Sequence, residues 1–392
     1  MRKALILAIA ATALAFTAIG CKDKGNEAGG SGATEDTVKL GLFVSTTGEI
    51  ATFGGDTKNG AELAVEEINK AGGIKGKTID LRFYDTASKA EEAGNVATKL
   101  ATQDKVLVAM GAVASGLSLA AAPVFEQNGV PMVSPSSTNP TVTQQGKNIF
   151  RICFLDDFQG GACAVFAYKE LGKRKAAIIR NQDDAYSTGL ADYFRLKFKA
   201  LGGEIVADES YKKGTKEFAS QITNVKAKEP DIIFLPCYYN DVALLSQQIR
   251  GQGIGDDVPM LGGDGWESAN LIPNSKGALE GSYFGNHYSP EDPSEHVQAF
   301  VKGYKAKYNT APSSLAALGY DVVYVVKKAI EDAGEFDRAK VRDALAALKD
   351  FKGVTGTFSI DENRDARKPI SILKVQGDKF LPVKQIQPQD VK

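Results

Sequence analysis

The sequence predicts an α/β protein made of two doubly wound parallel-sheet lobes that are joined by a three-segment hinge. From Thr37 onward, short apolar runs alternate with amphipathic runs of helical period, which is the pattern of repeated strand–helix units and a parallel sheet. The same alternation restarts after residues 150–152. A chain of 392 residues also suits two domains of roughly 150 residues each.

The first lobe is predicted from the alternating pattern between residues 38 and 134. In its first helix, apolar residues between Ala61 and Ile68 recur at a helical spacing, and the pair Gly72-Gly73 ends the helix. The predicted strands are 38–44, 79–84, 106–111 and 131–134, and the predicted helices are 56–71, 88–102 and 118–128.

The second lobe is predicted from the equivalent pattern that follows. Its strands are expected at 176–179, 205–210, 231–235 and 260–261, and its helices near 187–201, 215–229 and 241–252. The glycine-rich string at 251–255 resembles a dinucleotide-binding loop, but it follows a helix instead of a strand. We therefore interpret it as the end of that helix.

The last third of the chain is expected to contribute to both lobes. Helices at 295–308 and 313–333 should return to the first lobe, while residues 356–365 and the strand 370–375 should form a hairpin on the second. The predicted lobes are therefore 38–154 plus 286–355, and 155–285 plus 356–392. The hinge crossings are expected near 153–156, 283–288 and 355–358.

The N-terminus predicts export from the cytoplasm. Arg2 and Lys3 precede an apolar run of small residues, and Ala18-Ile19-Gly20-Cys21 closes it, which is typical of a lipoprotein signal peptide at 1–20. Cys21 would then carry the acyl chains that anchor the protein at the periplasm or the outer face of the cytoplasmic membrane. Simple cleavage without lipidation is the alternative. Residues 21–37 lack apolar periodicity and are expected to be a flexible tether.

Composition argues against several other classes of protein. The formal net charge of -1 becomes -3 without the first 20 residues (45 basic, 48 acidic), which does not favour nucleic-acid binding. After the N-terminus no run approaches about 18 apolar residues, so we expect membrane contact only through the anchor. Cys153, Cys163 and Cys237 favour buried thiols, with a Cys153–Cys163 bridge as the alternative. We expect no metal, no cofactor and a monomer.

No catalytic motif points to an enzyme. The chain has no GxSxG elbow, and its two histidines, His287 and His296, have no triad partner nearby in sequence. The SxxK match at 210–213 lies at the end of a predicted strand in a charged stretch. A binding protein is therefore favoured over a catalyst.

Hydroxyl-rich loops follow two predicted strands of the first lobe. Ser115 follows strand 106–111, and Ser136, Ser137 and Thr138 follow strand 131–134. Ligands of open parallel sheets bind at these carboxyl ends, where hydroxyls and the N–H groups of a helix start suit a carboxylate. The alternative is that these residues only cap helices.

The corresponding loops of the second lobe carry aromatic rings and an acid. Tyr186, Tyr238 and Asp264 lie on loops at 181–186, 237–240 and 262–266. An aspartate in a cleft can pair with a ligand ammonium, although it could equally be an Asx-turn residue. Facing lobes of this kind predict a site for a zwitterion.

Several segments in order resemble the leucine/isoleucine/valine-binding proteins of ABC transporters, which have the type I periplasmic-binding fold. The resemblance extends from about Val38 to the end of the chain. The segments that carry it are Gly48, Phe53-Gly54, 59–61, 69–74, Tyr84-Asp85, 134–138, Phe150-Arg151, 183–189 and 262–265.

The resemblance implies capture of an amino acid, most simply a branched-chain one, and its delivery to an ABC permease. It implies that Ser115, Ser136 and Thr138, with Ser137 beside them, hold the α-carboxylate and amine, that Tyr238 and Asp264 face the ammonium, and that Tyr186 closes over the ligand. Phe53, Trp266 and Leu315 would border the pocket for the ligand side chain.

Two departures from the family pattern leave the ligand open. Asp264 replaces a glutamate and the pair Ser136-Ser137 replaces two alanines, so we expect a more polar pocket and a shorter acid. An amide, urea or aromatic or organic acid is therefore an alternative ligand. A sensor module with the same fold is an alternative function.

Overall fold

The computed structural model describes residues 36–391. The predicted signal peptide 1–20, Cys21 and nearly all of the predicted tether lie outside these residues. The first lobe begins with these elements in chain order: β1 (Thr37–Val44), α1 (Ala51–Lys70), β2 (Thr78–Asp85), α2 (Ala90–Thr98), β3 (Val108–Gly111), α3 (Ser115–Gln127), β4 (Met132–Ser134) and β5 (Ile149–Arg151).

These five strands form one sheet in the order β2-β1-β3-β4-β5, and every neighbouring pair is parallel. Its inner strands are almost entirely buried, because helices cover both faces of a doubly wound sheet. Helix α1 begins at Ala51, five residues before the predicted start, with Gly54 against the backbone of Ser45 just after β1.

The second lobe follows β5 and repeats the strand–helix alternation. In chain order its elements are α4 (Asp156–Val165), β6 (Lys175–Asn181), α5 (Ala185–Ala200), β7 (Glu204–Tyr211), α6 (Ala219–Lys226), β8 (Ile232–Phe234), α7 (Tyr239–Gly251), β9 (Met260–Gly262), α8 (Leu271–Ser275) and β10 (Tyr283–Asn286). The glycine string at 251–255 follows α7, as predicted.

The remaining elements are α9 (Glu295–Tyr308), α10 (Ser314–Ala333), α11 (Arg338–Ala346), β11 (Phe351–Gly353), β12 (Gly356–Phe358), β13 (Ile370–Gln376) and β14 (Lys379–Ile386). Helix α10 packs against α1, where Gly60 lies beneath the backbone of Ala316. The second sheet has the order β14-β13-β10-β9-β8-β6-β7, in which β13 and β14 are antiparallel additions.

The predicted hairpin between 356–365 and 370–375 is wrong. β12 pairs with β11, and β13 pairs with β10 and with the unpredicted strand β14. The chain passes between the two sheets three times, after β5, after β10 and before β13. The predicted fold class, two parallel-sheet lobes with a three-segment connection, is confirmed.

Candidate functional site

A small, narrow cavity lies at the carboxyl ends of strands from both sheets. It brings together eight of the ten residues that the sequence singled out for the site, along with two that it missed, Val113 and Gly265. The eight are Phe53, Ser115, Ser136, Thr138, Tyr186, Tyr238, Asp264 and Leu315.

The first lobe presents the start of α3 to the cavity. Ala114, the residue before α3, has no side chain that can cap the helix, so no capping side chain occupies the Ser115 and Gly116 N–H groups, and that of Ser115 bonds to the Tyr238 hydroxyl. The Ser115 hydroxyl accepts a hydrogen bond from the Asn139 backbone N–H (3.2 Å), which ties the two predicted serine and threonine loops together.

Ser137 does not line the cavity, contrary to the prediction. Its hydroxyl donates to the carbonyl oxygens of Ala112 (3.1 Å) and Val113 (2.9 Å) and contacts the Ser118 hydroxyl (2.8 Å). Ser136, which does line the cavity, directs its hydroxyl to the Val113 carbonyl (3.3 Å). The two hydroxyls therefore bond to the backbone, and the expectation of a more polar pocket is not supported at these positions.

Trp266 also does not line the cavity. Its ring is fully buried, its Nε1–H donates to the Leu235 carbonyl (2.9 Å), and it packs on Phe284 with ring centroids 6.0 Å apart. Successive residues of the turn at 264–266 point in different directions, so Asp264 faces the cavity while Trp266 faces the core of the second lobe.

Arg151 is a buried residue whose role the sequence reasoning missed. Its side chain is 0% exposed, and its guanidinium donates to the Asp365 carboxylate (2.6 Å). It also donates to the backbone carbonyls of Ser137 and Asn139 (2.9 Å for the latter) and thereby fixes the loop that carries Thr138. The Phe150-Arg151 pair was noted only as part of the family pattern.

The second lobe covers the cavity with two stacked tyrosines. The rings of Tyr186 and Tyr238 have centroids 5.0 Å apart and an interplanar angle of 12°. The Tyr186 hydroxyl accepts from the Gly265 backbone N–H (3.0 Å). Burial raises the pKa of Tyr238 well above 10, although the nearby Ser115 N–H opposes the rise, so its phenol stays neutral.

Two residues that the sequence reasoning did not assign to the site donate hydrogen bonds to the Asp264 carboxylate. Its Oδ1 accepts from Gln159 Nε2 (3.0 Å), and its Oδ2 accepts from His287 Nε2 (2.9 Å). Burial lowers the pKa of His287 in spite of the Asp264 charge, so the imidazole is neutral and donates through Nε2. Gln159 was missed because helix α4 was not predicted.

The two lobes contact each other around the cavity. Tyr239 Oη lies 2.7 Å from Thr52 Oγ1, and the Asn139 amide donates to the Ala185 carbonyl (2.7 Å). On the other side, the Ser314 backbone N–H donates to the Glu267 carboxylate (2.8 Å). The structure therefore represents a closed arrangement of the cleft.

Other predicted features can be placed as well. Cys153, Cys163 and Cys237 are buried free thiols, so the alternative Cys153–Cys163 bridge is absent. Among residues 36–391 we find no cluster of three or more His, Cys, Asp or Glu side chains suited to a metal. Within the same residues no helix combines the length and apolarity that a membrane span requires.

The chain is similar to known proteins over most of its length. The family model described as periplasmic binding protein matches residues 37–379. A Brucella melitensis protein named Leu/Ile/Val-binding protein homolog 3 is 32% identical over 336 residues, which are 85% of this chain and 89% of that protein.

Two solved structures are similar over nearly the whole described chain. A leucine binding protein from Thermotoga maritima has a TM-score of 0.87 and 39% identity, covering 90% of this chain and 100% of that one. A branched-chain amino acid transporter substrate binding protein from Streptococcus pneumoniae, in complex with isoleucine, has a TM-score of 0.83 and 35% identity, covering 88% and 99%.

Proposed function

The chain belongs to the periplasmic binding protein family, and we propose that it captures a branched-chain amino acid between its lobes and delivers it to an ABC permease. Family membership makes it an extracytoplasmic substrate-binding protein, not an enzyme. The observation that carries the proposal is one cavity with hydroxyls and a helix start on one side and the Asp264 carboxylate on the other.

We propose that the ligand carboxylate binds at the start of α3. Ser115, Ser136 and Thr138 line this part of the cavity, and the helix start supplies N–H donors and the positive end of the helix dipole. The ammonium would face Asp264 from the second lobe. Hydrogen bonds to charged groups contribute roughly 1.5 to 3 kcal/mol each, so a few of them can outweigh the ordering cost of binding.

The rest of the cavity wall favours an aliphatic side chain on the ligand. Phe53, Val113 and Leu315 supply apolar surface, and the Ser136 hydroxyl is directed at a backbone carbonyl. An aromatic acid without an amine would leave the buried Asp264 charge unpaired, which costs several kcal/mol. This argument favours an amino acid over the alternative acids.

We propose the lobe boundaries 38–154 plus 286–355 and 155–285 plus 356–392, with closure about three hinge crossings. Sheet membership supports this division, because β1–β5 form one sheet and β6–β10 join β13 and β14 in the other. Contacts made by the ligand with both lobes would then shift the population toward the closed form.

We also propose that Cys21 carries a lipid anchor and that the protein is a monomer. The sequence around Cys21 supports the anchor, and the anchor would keep the protein near its permease. Replacing Cys21 by Ser should release the protein from membranes into the soluble fraction, and mass spectrometry of the purified chain should show whether the acyl chains are lost.

A thermal-shift screen of the twenty amino acids, simple amides and aromatic acids would identify the ligand, since only a true ligand raises Tm with its concentration. We expect leucine, isoleucine or valine to give the largest shift. A shift by an aromatic acid alone would contradict the proposal.

Calorimetry on Asp264→Ala then tests the ammonium site. Without the carboxylate, the ligand ammonium would be buried without its partner, and we expect a loss of about 2 to 5 kcal/mol in binding free energy. Asp157→Asn, at an exposed position of the same lobe, should leave the affinity unchanged. Unchanged affinity in Asp264→Ala would show that the amine binds elsewhere.

A further inference from the structure

A hydrogen-bonded chain behind the cavity connects the two halves of the site. The Asp156 backbone N–H donates to the Thr138 carbonyl (2.9 Å), and Gln159 Nε2 donates to Asp156 Oδ1 (3.1 Å) and to Asp264 Oδ1 (3.0 Å). The Asp264 backbone N–H donates back to Gln159 Oε1 (2.7 Å). Asp156 and Gln159 both belong to the first turn of α4, directly after the first hinge crossing.

The Asp156 carboxyl is 0% exposed, and its Oδ2 atom has no hydrogen-bond partner within residues 36–391. Within the same residues, neither Asp156 nor Asp264 lies within ion-pair distance of a lysine or arginine. The buried Arg151 pairs with Asp365 instead. In the described structure, the carboxyl groups of Asp156 and Asp264 thus share one neutral amide, that of Gln159, and no lysine or arginine pairs directly with either.

The surroundings of Asp156 disfavour its charged form. Burial raises its pKa well above 3.8 and the Asp264 charge raises it further, while Thr138, Arg151 and Gln159 oppose the rise less strongly. Other titratable groups nearby are uncharged. Burial raises the pKa values of Tyr186 and of the Cys153 and Cys163 thiols, which therefore stay protonated. Burial lowers the pKa of His287, so its imidazole is neutral.

We propose that the Asp156 carboxyl carries a proton while the cavity is empty, and that binding of a ligand ammonium beside Asp264 releases this proton to solvent. The ammonium supplies the missing countercharge, so the ionised form of Asp156 becomes favourable. The O–H bond of Asp156 breaks, its electron pair stays on the carboxylate, and water or a buffer base takes the proton. The ligand keeps all its bonds. This inference rests on the proposed function, and it makes capture specific for ligands that carry an ammonium.

Calorimetry of ligand binding in several buffers tests the proposal directly. L-leucine, L-isoleucine and L-valine would be titrated into the full chain between pH 5.5 and 8, in buffers with different ionisation enthalpies. The dependence of the observed enthalpy on the buffer counts the protons released. We expect up to one proton per ligand in the wild type, and an affinity that rises up to tenfold per pH unit where release occurs.

Asp156→Asn keeps the shape of the side chain and an oxygen that accepts from Gln159. We expect this variant to bind without releasing a proton and to lose the pH dependence. Asp157→Asn, the matched change at the exposed neighbouring position, should release protons as the wild type does.

Glu267 is a second buried acid close to the cavity, and because burial raises its pKa, closure would lead it to take up a proton instead of releasing one. Glu267→Gln removes this uptake and should keep the release from Asp156, so this variant also serves if Asp156→Asn does not fold. Release that persists in Asp156→Asn, or binding by Glu267→Gln without any buffer dependence, would each overturn the inference while leaving the proposed function intact. Absence of binding by all three amino acids would instead contradict the proposed function.

Discussion

At the scale of single residues, Arg151 is a buried charged side chain that holds a loop of the cavity in position. Its guanidinium satisfies the Asp365 carboxylate and the carbonyls of the 137–140 loop, all within the protein interior. A lysine keeps the charge but cannot reproduce the planar fork of donors. The backbone carbonyls of the loop would then lose their partners.

We therefore expect Arg151→Lys to lower the free energy of unfolding by about 1 to 3 kcal/mol for each buried carbonyl that it leaves without a partner. Urea denaturation followed by circular dichroism would measure it. Arg180→Lys is the matched control, because Arg180 pairs with Asp208 on the surface and should change stability by less than about 1 kcal/mol. Equal effects of the two substitutions would contradict this role of Arg151.

Glu267 should make the stability of the protein depend on pH. Burial raises its pKa from 4.5 to about 7, although Ser314 donates to its carboxylate. The folded state therefore binds the proton more tightly than the unfolded chain. The resulting stability is fully present below about pH 4.5 and is lost as the pH rises through about 7.

Glu267→Gln carries no charge at any pH and should not lose this stability. Relative to the wild type, we expect the unfolding free energy of the variant to rise by roughly 2 to 3 kcal/mol between pH 5 and pH 8. Denaturant titrations at both pH values would measure the difference. The exposed Glu91→Gln should show no such trend, and a flat difference for Glu267→Gln would argue against a buried, titrating carboxylate.

The sequence predicted most of the residues that line the cavity, but not their neighbours on its far side. Ser115, Thr138 and Asp264 were predicted because loops at the carboxyl ends of parallel strands meet at one edge. Ser137 and Trp266 were misplaced because the direction of a side chain in a turn depends on backbone angles that composition does not reveal. Gln159 lies on α4, a ten-residue helix with Gly160 and Gly161 at its centre, and glycines in such a position weaken a helix prediction.

At the scale of elements, the contact between α1 and α10 depends on two glycines. A Cβ added at Gly60 would lie 1.9 Å from the Ala316 carbonyl oxygen, and one added at Gly319 would lie 2.1 Å from the Thr57 carbonyl oxygen. The helices approach closely because neither position has a side chain. This contact attaches α10, which carries Leu315 of the cavity, to the helix that carries Phe53.

Gly60→Ala should force the two helices apart and lower the free energy of unfolding by about 1 to 3 kcal/mol or more, as overpacking does. Gly55→Ala on the same helix α1 is the control, because nothing lies within 4 Å of the added Cβ. Gly55→Ala lowers the conformational entropy of the unfolded chain relative to the wild type, so it should stabilise the protein by about 0.4 to 1 kcal/mol. Thermal denaturation of both variants would test this, and destabilisation by Gly55→Ala equal to that by Gly60→Ala would contradict it.

Element prediction succeeded where the pattern was local and failed where pairing was distant. Most strand–helix repeats of both lobes carry their own apolar periodicity, so their positions were predicted to within a few residues, whereas α4, α8 and β10 were not predicted. The partner of β13 could not be inferred in this way. Its neighbours are β14, three residues further along the chain, and β10, more than eighty residues earlier, and strand pairing over such a separation depends on the assembled sheet.

At the scale of the whole molecule, the proposed hinge closure makes affinity depend on the balance between open and closed forms as well as on contacts with the ligand. Thr52 and Tyr239 lie on opposite sides of the cleft and meet across it, at 2.7 Å between their hydroxyl oxygens. Tyr239 Oη also donates to the Glu49 carbonyl (3.2 Å). Neither hydroxyl lines the cavity, so these bonds favour closure without touching the ligand.

Tyr239→Phe keeps the ring against Phe53 and removes only these cross-lobe hydrogen bonds. Each bond contributes about 0.5 to 1.5 kcal/mol and two are lost, and the apparent affinity scales with the fraction of closed protein, so we expect a loss of about 5- to 150-fold. Because the cavity is unaltered, leucine, isoleucine and valine should lose the same factor, chiefly through faster dissociation. Stopped-flow and calorimetric titrations would measure both quantities.

Tyr308→Phe removes the same kind of hydroxyl from a bond inside one lobe, where Tyr308 Oη donates to the Asn59 carbonyl (2.9 Å). That bond exists in the open and closed forms alike, so the substitution should lower stability slightly and leave the affinity unchanged. A contact outside the cavity can weaken all ligands equally only by shifting the population of closed molecules. If Tyr239→Phe instead altered the preference among the three amino acids, Tyr239 would have to influence the bound ligand directly, and closure would not be a separate equilibrium.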